Sequence, residues 1–174
     1  MYFMRHGESE YNLLGLCNDD PRRKVHLTER GRTQVAEASR QLASEPIELI
    51  VVSELERTRQ SADIVNRYHH VPVLVHPGIN DWRTGLDGQP ARLLYRSIAA
   101  DPMNTRLEGG ETLCEHLARV RSFAHWLRGR TETTILVVAH EETLRAAAAC
   151  CRGLDHDEML ALKFDNAEIT IFEL

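Results

Sequence analysis

Apolar residues fall into short runs along this chain, and most of the runs contain few polar positions. Continuous apolar runs are typical of strands that are covered on both faces, as in a parallel sheet. The pattern predicts strands at Tyr2–Met4, Ile47–Val52, Val71–Val75, Ile135–Ala139 and Ile169–Phe172.

Between these runs, apolar residues recur three and four positions apart, as on one face of a helix. The most regular example is Thr112–Arg128. Alternating strands and helices predict an α/β fold, a three-layer α/β/α sandwich with a mostly parallel central sheet. The other predicted helices are Glu29–Leu42, Arg57–Tyr68, Ala91–Ala99 and about Glu142–Cys151.

We expect a single domain over residues 1–174, because no change in composition marks a linker. The segment at about residues 76–108 differs from the rest, since glycines and prolines divide it into loops around one helix. Loop-rich segments above a sheet often carry function. We therefore expect this segment to cover a site.

The composition narrows the possible functions. Hydrophobic residues make up 43% of the 174 residues and charged residues 27%, as in ordinary globular proteins. The net charge of -5 provides no general attraction to nucleic acid or to a membrane surface, so we expect neither as a partner. The four cysteines lack Cys-x-x-Cys spacing, and no apolar stretch approaches the ~20 residues of a membrane span. We expect reduced thiols, no metal site and a cytoplasmic protein.

Basic residues follow three of the predicted strands. Arg5 and His6 follow the first strand, Arg57 lies one turn beyond the second, and His140 follows the fourth. Ligands of open α/β sheets bind beyond the carboxyl ends of the strands, so these four side chains are expected to meet in one crevice.

Two arginines and two histidines together favour phosphoryl chemistry. Each guanidinium is permanently charged and offers a planar fork of donors that matches phosphate oxygens. A histidine, with an ordinary pKa near ~6.5, can be neutral and nucleophilic near pH 7. Because transition-state charge is spread over the phosphoryl oxygens, arginines can supply the stabilisation that Mg²⁺ supplies elsewhere.

Segments around these residues resemble, in order, the motifs of the histidine phosphatase superfamily, which includes the cofactor-dependent phosphoglycerate mutases and the fructose-2,6-bisphosphatases. The resemblance covers almost the whole chain. It implies a phosphoglycerate mutase-like fold and the hydrolysis of small phosphomonoesters through a phosphohistidine, with no metal and no cofactor. The matching segments are Arg5–Asn12, Leu27–Gly31, Ser53–Ala62, Gly109–Thr112, Val137–His140 and Asn166–Ala167.

The same resemblance implies roles for individual residues. His6 would accept the phosphoryl group. Asp81 fills the place of the family's proton donor, which must protonate the leaving oxygen because an alkoxide leaves poorly near neutral pH. The residues implied to bind the phosphate oxygens are Arg5, Arg57, His140 and Asn12.

Two positions depart from the family pattern. Asp81 stands where glutamate is usual, and its carboxyl group is one methylene shorter. Glu141 stands where glycine is usual, and a carboxylate facing phosphate would repel it by about 1 to 4 kcal/mol. We expect the Glu141 side chain to begin the last helix and to point away or carry a proton, while its backbone donor helps to bind substrate. Which of the two carboxyls is the acid stays open.

Alternatives to hydrolysis remain. Family mutases have a longer insertion after the acidic motif, whereas here only the 27 residues 82–108 separate Asp81 from Gly109, so hydrolysis is favoured over mutase-type transfer. The departures at Asp81 and Glu141 would also permit a non-catalytic module that binds a phospholigand. A nucleotide-binding protein is disfavoured, because neither a Gly-x-Gly-x-x-Gly nor a Walker A motif is present.

A basic run follows the first motif. We expect Arg22, Arg23 and Lys24, together with Arg83, to line the rim of the pocket and to favour substrates with an additional anionic group, although a solvated surface is the simpler interpretation. The sequence indicates a small phosphorylated substrate without identifying it, and it indicates no oligomeric state.

Overall fold

A sheet of five strands forms the centre of the molecule, and the computed structural model describes residues 1–173. The strand order is β3-β2-β4-β1-β5; the pairings are parallel except that β5 runs antiparallel to β1. All predicted strands are present. Their bounds are β1 (Tyr2–Arg5), β2 (Leu49–Val52), β3 (Val73–Val75), β4 (Ile135–Ala139) and β5 (Ile169–Ile171).

Helices cover both faces of the sheet. Alternate residues of β4 point in opposite directions: Val137 packs with residues of α5 and α6, and Val138 packs with residues of α2 and α3. The predicted three-layer α/β/α sandwich is therefore confirmed. The helices are α1 (Glu10–Leu14), α2 (Glu29–Leu42), α3 (Glu56–His69), α4 (Ala91–Ser97), α5 (Leu113–Arg128), α6 (Glu141–Arg152) and α7 (His156–Ala161), with a 3₁₀ turn at Pro77–Ile79.

Two of these helices, α1 and α7, are absent from the sequence prediction. With five and six residues, they are too short to show an apolar repeat. Both begin with a reciprocal capping box, formed by Ser9 with Asn12 and by Asp155 with Glu158. The spacing of these capping residues was therefore the sequence signal from which the two short helices could have been predicted.

The strand order explains why remote residues meet. Strand β4 lies between β1 and β2, with Arg5 opposite Ala139 and Val52 opposite Val138. The three strands are parallel and nearly level, so the residues that follow them emerge at one edge of the sheet. His6 and His140 therefore lie side by side, with ring centroids 5.2 Å apart.

The loop after β1 is pressed against the start of α2. A Cβ atom on Gly31 would lie 2.0 Å from the Glu8 carbonyl oxygen, and a Cβ atom on Gly7 would lie 2.4 Å from the Gly31 carbonyl oxygen. The Gly7 amide also donates to Ser61 Oγ on α3 at 3.2 Å. Close backbone packing therefore fixes the position of His6, which precedes Gly7.

The segment after β3 has an apolar cluster of its own. Trp82, Leu94 and Ile98 are buried and pack with Leu113 of α5 and Met159 of α7. This cluster anchors the segment beside the sheet edge that carries His6 and His140.

Three findings concern residues 1–173 as a whole. None of the helices is long and apolar enough to cross a membrane. The four cysteines are free thiols, of which Cys17 is buried and the others are half-buried. Within the described chain, no group of three His, Cys, Asp or Glu side chains is placed to hold a metal ion.

We predict that Gly31→Ala destabilises the fold. The added methyl group would overlap the Glu8 carbonyl, so the loop that carries His6 must shift, at a cost of roughly 1–3 kcal/mol. Chemical denaturation measures the free energy of unfolding. Gly129→Ala is the matched control, because its Cβ atom would lie 3.4 Å from the Trp126 carbonyl oxygen. Equal stability of the two variants would contradict the prediction.

Candidate active site

A cavity of about 130 Å³ opens at the sheet edge beyond β1 and β4. Six residues of the segment 76–108, among them Trp82 and Tyr95, contribute to its wall. Six of the residues singled out from the sequence line it together, namely Arg5, His6, Asn12, Arg57, Asp81 and Glu141.

The His6 ring has a defined orientation. It is 2% exposed, and its Nδ1 atom lies 2.7 Å from the Gly7 carbonyl oxygen, which can only accept a hydrogen bond. Nδ1 therefore carries the proton, and Nε2 presents a lone pair to Arg57 Nε at 2.9 Å. Burial lowers the pKa of His6 well below its usual value, and the charges of Arg57 and Arg5 lower it further. The neutral ring therefore presents an unprotonated nitrogen at Nε2.

Arg57 is the buried cation of the site and lies in the first turn of α3. Besides His6, it donates to Asn18 Oδ1 at 2.5 Å, to the Asn18 carbonyl oxygen at 3.1 Å and to Asp81 Oδ2 at 2.8 Å. A further bond joins its Nη2 to His140 Nδ1 at 2.9 Å. Four neighbours thus fix the guanidinium plane.

His140 is fully buried and lies behind Arg57, not on the cavity wall. Its Nδ1 accepts from Arg57, and its Nε2 lies 2.9 Å from Ser53 Oγ. Ser53 Oγ lies 2.8 Å from Thr58 Oγ1, which itself donates to the Leu55 carbonyl oxygen at 2.8 Å. This chain of donors places the proton of His140 on Nε2. Burial, followed by the charge of Arg57, lowers the pKa of His140 well below its usual value.

The Glu141 carboxylate faces the cavity, and the expectation that it points away is wrong. Its Oε2 lies 2.9 Å from Arg5 Nη1, and its Oε1 lies 2.7 Å from Arg145 Nη2. Attraction to these two guanidiniums accounts for the position of the carboxylate. Arg5 Nη1 also donates to the Phe164 carbonyl oxygen at 2.6 Å. As expected, Glu141 begins α6, where a negative charge is favourable.

Glu142 is a second acidic residue on the cavity wall, and the sequence prediction did not assign it to the site. It is bonded to Arg145 at 2.6 Å. Burial raises the pKa of Glu142 to about 7, with Arg145 opposing the rise. Its position in the first turn of α6 was visible in the sequence, but the sequence did not show that this side chain lines the cavity.

Asp81 follows the 3₁₀ turn and lies beside Arg57. Its Oδ2 accepts from Arg57 and lies 3.6 Å from His140 Nδ1, while its Oδ1 accepts from the Trp82 amide at 3.0 Å. Aspartate thus reaches the site despite its short side chain.

A partly buried ion pair supports the loop that carries Asp81. Arg119 of α5 donates to the carbonyl oxygens of Asn80 and Asp81 at 2.9 and 3.2 Å, and it contacts Glu111 Oε1 at 2.5 Å. Burial raises the pKa of Glu111, but contacts with His116 and Arg119 outweigh this effect and hold it below its usual value. Glu111 therefore positions the loop from behind, without lining the cavity.

Asparagines supply the remaining polar contacts. The Asn12 Oδ1 atom caps α1 by accepting from the Ser9 amide at 3.0 Å, and none of the described hydrogen bonds uses the side-chain nitrogen Nδ2 of Asn12. Asn166 donates to the His6 carbonyl oxygen at 3.1 Å. Sequence reasoning missed the contact of Asn18 with Arg57, since Asn18 lies in a loop without periodicity.

The basic run does not line the cavity, which corrects the expectation for the rim. Arg22 pairs with Asp20 at 2.8 Å, Arg23 pairs with Asp87, and Lys24 lies 3.6 Å from Glu56. Arg22 and Arg83 instead line a separate depression of about 390 Å³ whose wall includes Asp19, Asp20 and Asp87. Neighbouring carboxylates neutralise these cations, which the linear sequence could not show.

We predict that His6 and His140 stay neutral when the pH falls through the ordinary histidine midpoint of ~6.5. A lowered pKa means that the ring gains its proton only at a lower pH, so no charge appears between pH 7 and pH 6. Ring ¹⁵N chemical shifts report the protonation, and His6→Ala assigns one of the two signals. Titration of either ring above pH 6.5 would contradict this result.

We also predict that Glu141→Gln strengthens the binding of inorganic phosphate. The change removes a negative charge beside Arg5, and for a partly exposed pair we expect about 1 kcal/mol, or roughly fivefold in Kd. Titration calorimetry measures Kd. The exposed Glu37→Gln on α2 removes the same charge elsewhere and controls for net charge. Unchanged affinity in Glu141→Gln would show that the carboxylate does not oppose phosphate.

Comparison with known proteins places the chain in one family. The family model of the histidine phosphatase superfamily (branch 1) matches residues 1–174. The chain is 26% identical to phosphoserine phosphatase 1 of Hydrogenobacter thermophilus, with 100% of this chain and 86% of that protein covered. It is 28% identical to a 2,3-bisphosphoglycerate-dependent phosphoglycerate mutase of Bartonella henselae, with 92% and 85% covered.

A solved structure agrees with these matches. The alpha-ribazole phosphatase from Shigella flexneri superposes with a TM-score of 0.85 and 25% identity, over 95% of this chain and 85% of that chain. The sequence motifs, the sheet that brings them together and the match along the whole chain agree: this protein belongs to the histidine phosphatase superfamily.

Proposed function

We propose that this protein is a phosphoric monoester hydrolase that acts on small phosphorylated metabolites through a phosphohistidine intermediate. The observation that carries the proposal is the orientation of His6 on the cavity wall, where Nε2 carries the lone pair because Nδ1 donates to Gly7. Two guanidiniums, those of Arg5 and Arg57, line the same small space. Relatives that are named phosphatases support the proposal.

In the first step, the His6 Nε2 lone pair attacks phosphorus, and the bond from phosphorus to the ester oxygen breaks. Arg57 Nε–H turns from His6 Nε2 to a phosphoryl oxygen as the substrate enters. Arg5 binds a second oxygen, the Asn12 amide donates to the same group, and His140 holds Arg57 in place from behind. Asp81 protonates the departing oxygen.

In the second step, water attacks the phosphorus of the phosphohistidine. The Asp81 carboxylate, left unprotonated by the first step, takes a proton from this water. The bond between phosphorus and His6 Nε2 breaks, which releases inorganic phosphate and restores the neutral ring. The two arginines carry the charge of both transition states, so the proposed reaction needs no metal ion.

Hydrolysis is favoured over transfer to a second substrate oxygen. The segment between Asp81 and Gly109 is short, and it leaves the His6 cavity open on one side. We propose that residues 76–108 shape the site for the leaving group without sealing the phosphohistidine from water.

We predict turnover of 4-nitrophenyl phosphate in the presence of a chelator, and its loss in His6→Ala. The expected loss is at least ~10³-fold, since the nucleophile itself is removed. Phosphate release measures the rate, and the exposed His125→Ala is the matched control. An acid-labile phosphoryl group on the enzyme should appear after rapid quenching. Binding of phosphate without turnover would instead identify a non-catalytic binding module.

We further predict that Asp81→Asn slows the hydrolysis of alkyl phosphates by about 10²–10⁴-fold and slows 4-nitrophenyl phosphate far less. An alkoxide needs a proton in order to leave, whereas a nitrophenolate does not. The values of kcat for the two esters give the comparison, with Glu141→Gln measured in parallel. The same selective loss in Glu141→Gln, and not in Asp81→Asn, would assign the acid to Glu141.

A further inference from the structure

The cavity at His6 is too small for the whole of a bulky ester. Its volume of about 130 Å³ lies below the roughly 300–1,000 Å³ of ordinary small-molecule pockets. It has room for the phosphoryl group and a few further atoms. The remainder of the substrate must therefore extend beyond this cavity.

A second cavity, of about 350 Å³, adjoins the first. The two share Trp82, Tyr95 and Glu142 as wall residues. The second cavity lies between the segment that contains α4 and the helices α5, α6 and α7. Its other wall residues are Ile98, Ala99, Pro102, Leu113, Arg145 and Leu160.

The wall of this second cavity is mainly apolar. Its two charged residues, Glu142 and Arg145, are bonded to each other at 2.6 Å and so largely cancel. Trp82 and Tyr95 provide aromatic surface, and the Trp82 indole N–H is already used by the Glu111 carbonyl oxygen at 2.9 Å. No unpaired charge in the wall favours a polar substrate group.

The proposed chemistry directs the leaving group toward this cavity. The leaving oxygen must lie within reach of Asp81, and the next residue, Trp82, belongs to the shared wall. The polar depression lined by Arg22 and Arg83 shares no wall residue with the His6 cavity. The leaving group can therefore extend into the apolar second cavity, whereas the polar depression does not adjoin the His6 cavity.

We propose that the preferred substrates are phosphomonoesters of bulky, largely apolar alcohols, whose carbon skeleton occupies the second cavity. The skeleton passes between Trp82, Tyr95 and Glu142 while the phosphoryl group lies at His6. This inference rests on the proposed function and defines its substrate class. Burial of apolar surface accounts for the preference, and substrates that contain aromatic rings gain additional contacts with Trp82 and Tyr95.

The test compares cyclohexylmethyl phosphate with ethyl phosphate. Both release a primary alkoxide, so they differ chiefly in apolar volume. We expect kcat/KM to be at least tenfold higher for the cyclohexylmethyl ester. Ala99→Trp should reduce this ratio at least fivefold by filling the second cavity. Ala100→Trp adds the same side chain at the neighbouring exposed position, which does not line the cavity, and should keep the ratio.

A second variant and a binding measurement make the test independent of one substitution. Leu160→Gln places a polar group on the opposite wall and should also lower the ratio. Calorimetry with cyclohexylmethylphosphonate, which cannot be hydrolysed, should show weaker binding in both cavity variants than in Ala100→Trp. Equal kcat/KM for the two esters in the unmodified protein, or equal ratios in Ala99→Trp and Ala100→Trp, would overturn the inference. Failure to hydrolyse even 4-nitrophenyl phosphate would overturn the proposed function instead.

Discussion

The guanidinium of Arg57 is the interaction on which the site depends. A buried charge is unfavourable unless it is paired and fully hydrogen-bonded. Arg57 meets this condition through one carboxylate, two imidazoles and an asparagine, which come from four different parts of the chain. The same bonds orient the His6 lone pair and hold Asp81 beside it. A single buried group therefore positions both the proposed nucleophile and the proposed acid.

The sheet makes this arrangement possible. The strand order, with β4 between β1 and β2, brings His6, Arg57 and His140 to one edge at contact distance. The parallel register aligns the ends of these strands at nearly the same level. Side chains that are far apart in sequence therefore already lie close together. Gly7 and Gly31 refine the position by allowing close backbone contact. The sheet topology brings the side chains of the site close together, and local packing sets their final orientation.

This division explains what the sequence could predict. Apolar runs identify strands that are buried on both faces, and the residues that follow them must share an edge, so the meeting of Arg5, His6, Arg57 and His140 was predictable. Contacts made by loops could not be predicted in this way. The bond from Asn18 to Arg57 and the pairing of the basic run with acids depend on chain paths without periodicity. The direction of Glu141 depends on a competition between charges that only three-dimensional distances decide.

Both cations of the site have partners among the protein's own side chains, and this has a consequence for the proposed reaction. Arg57 Nε bonds to the His6 lone pair, and Arg5 is paired with Glu141. An entering phosphoryl group therefore replaces existing partners of both cations, so its net gain is smaller than two free arginines would give. The exchange itself frees the His6 lone pair for attack. A smaller net gain on phosphate binding also favours release of the product, and discrimination between esters then depends more on the contacts of the leaving group.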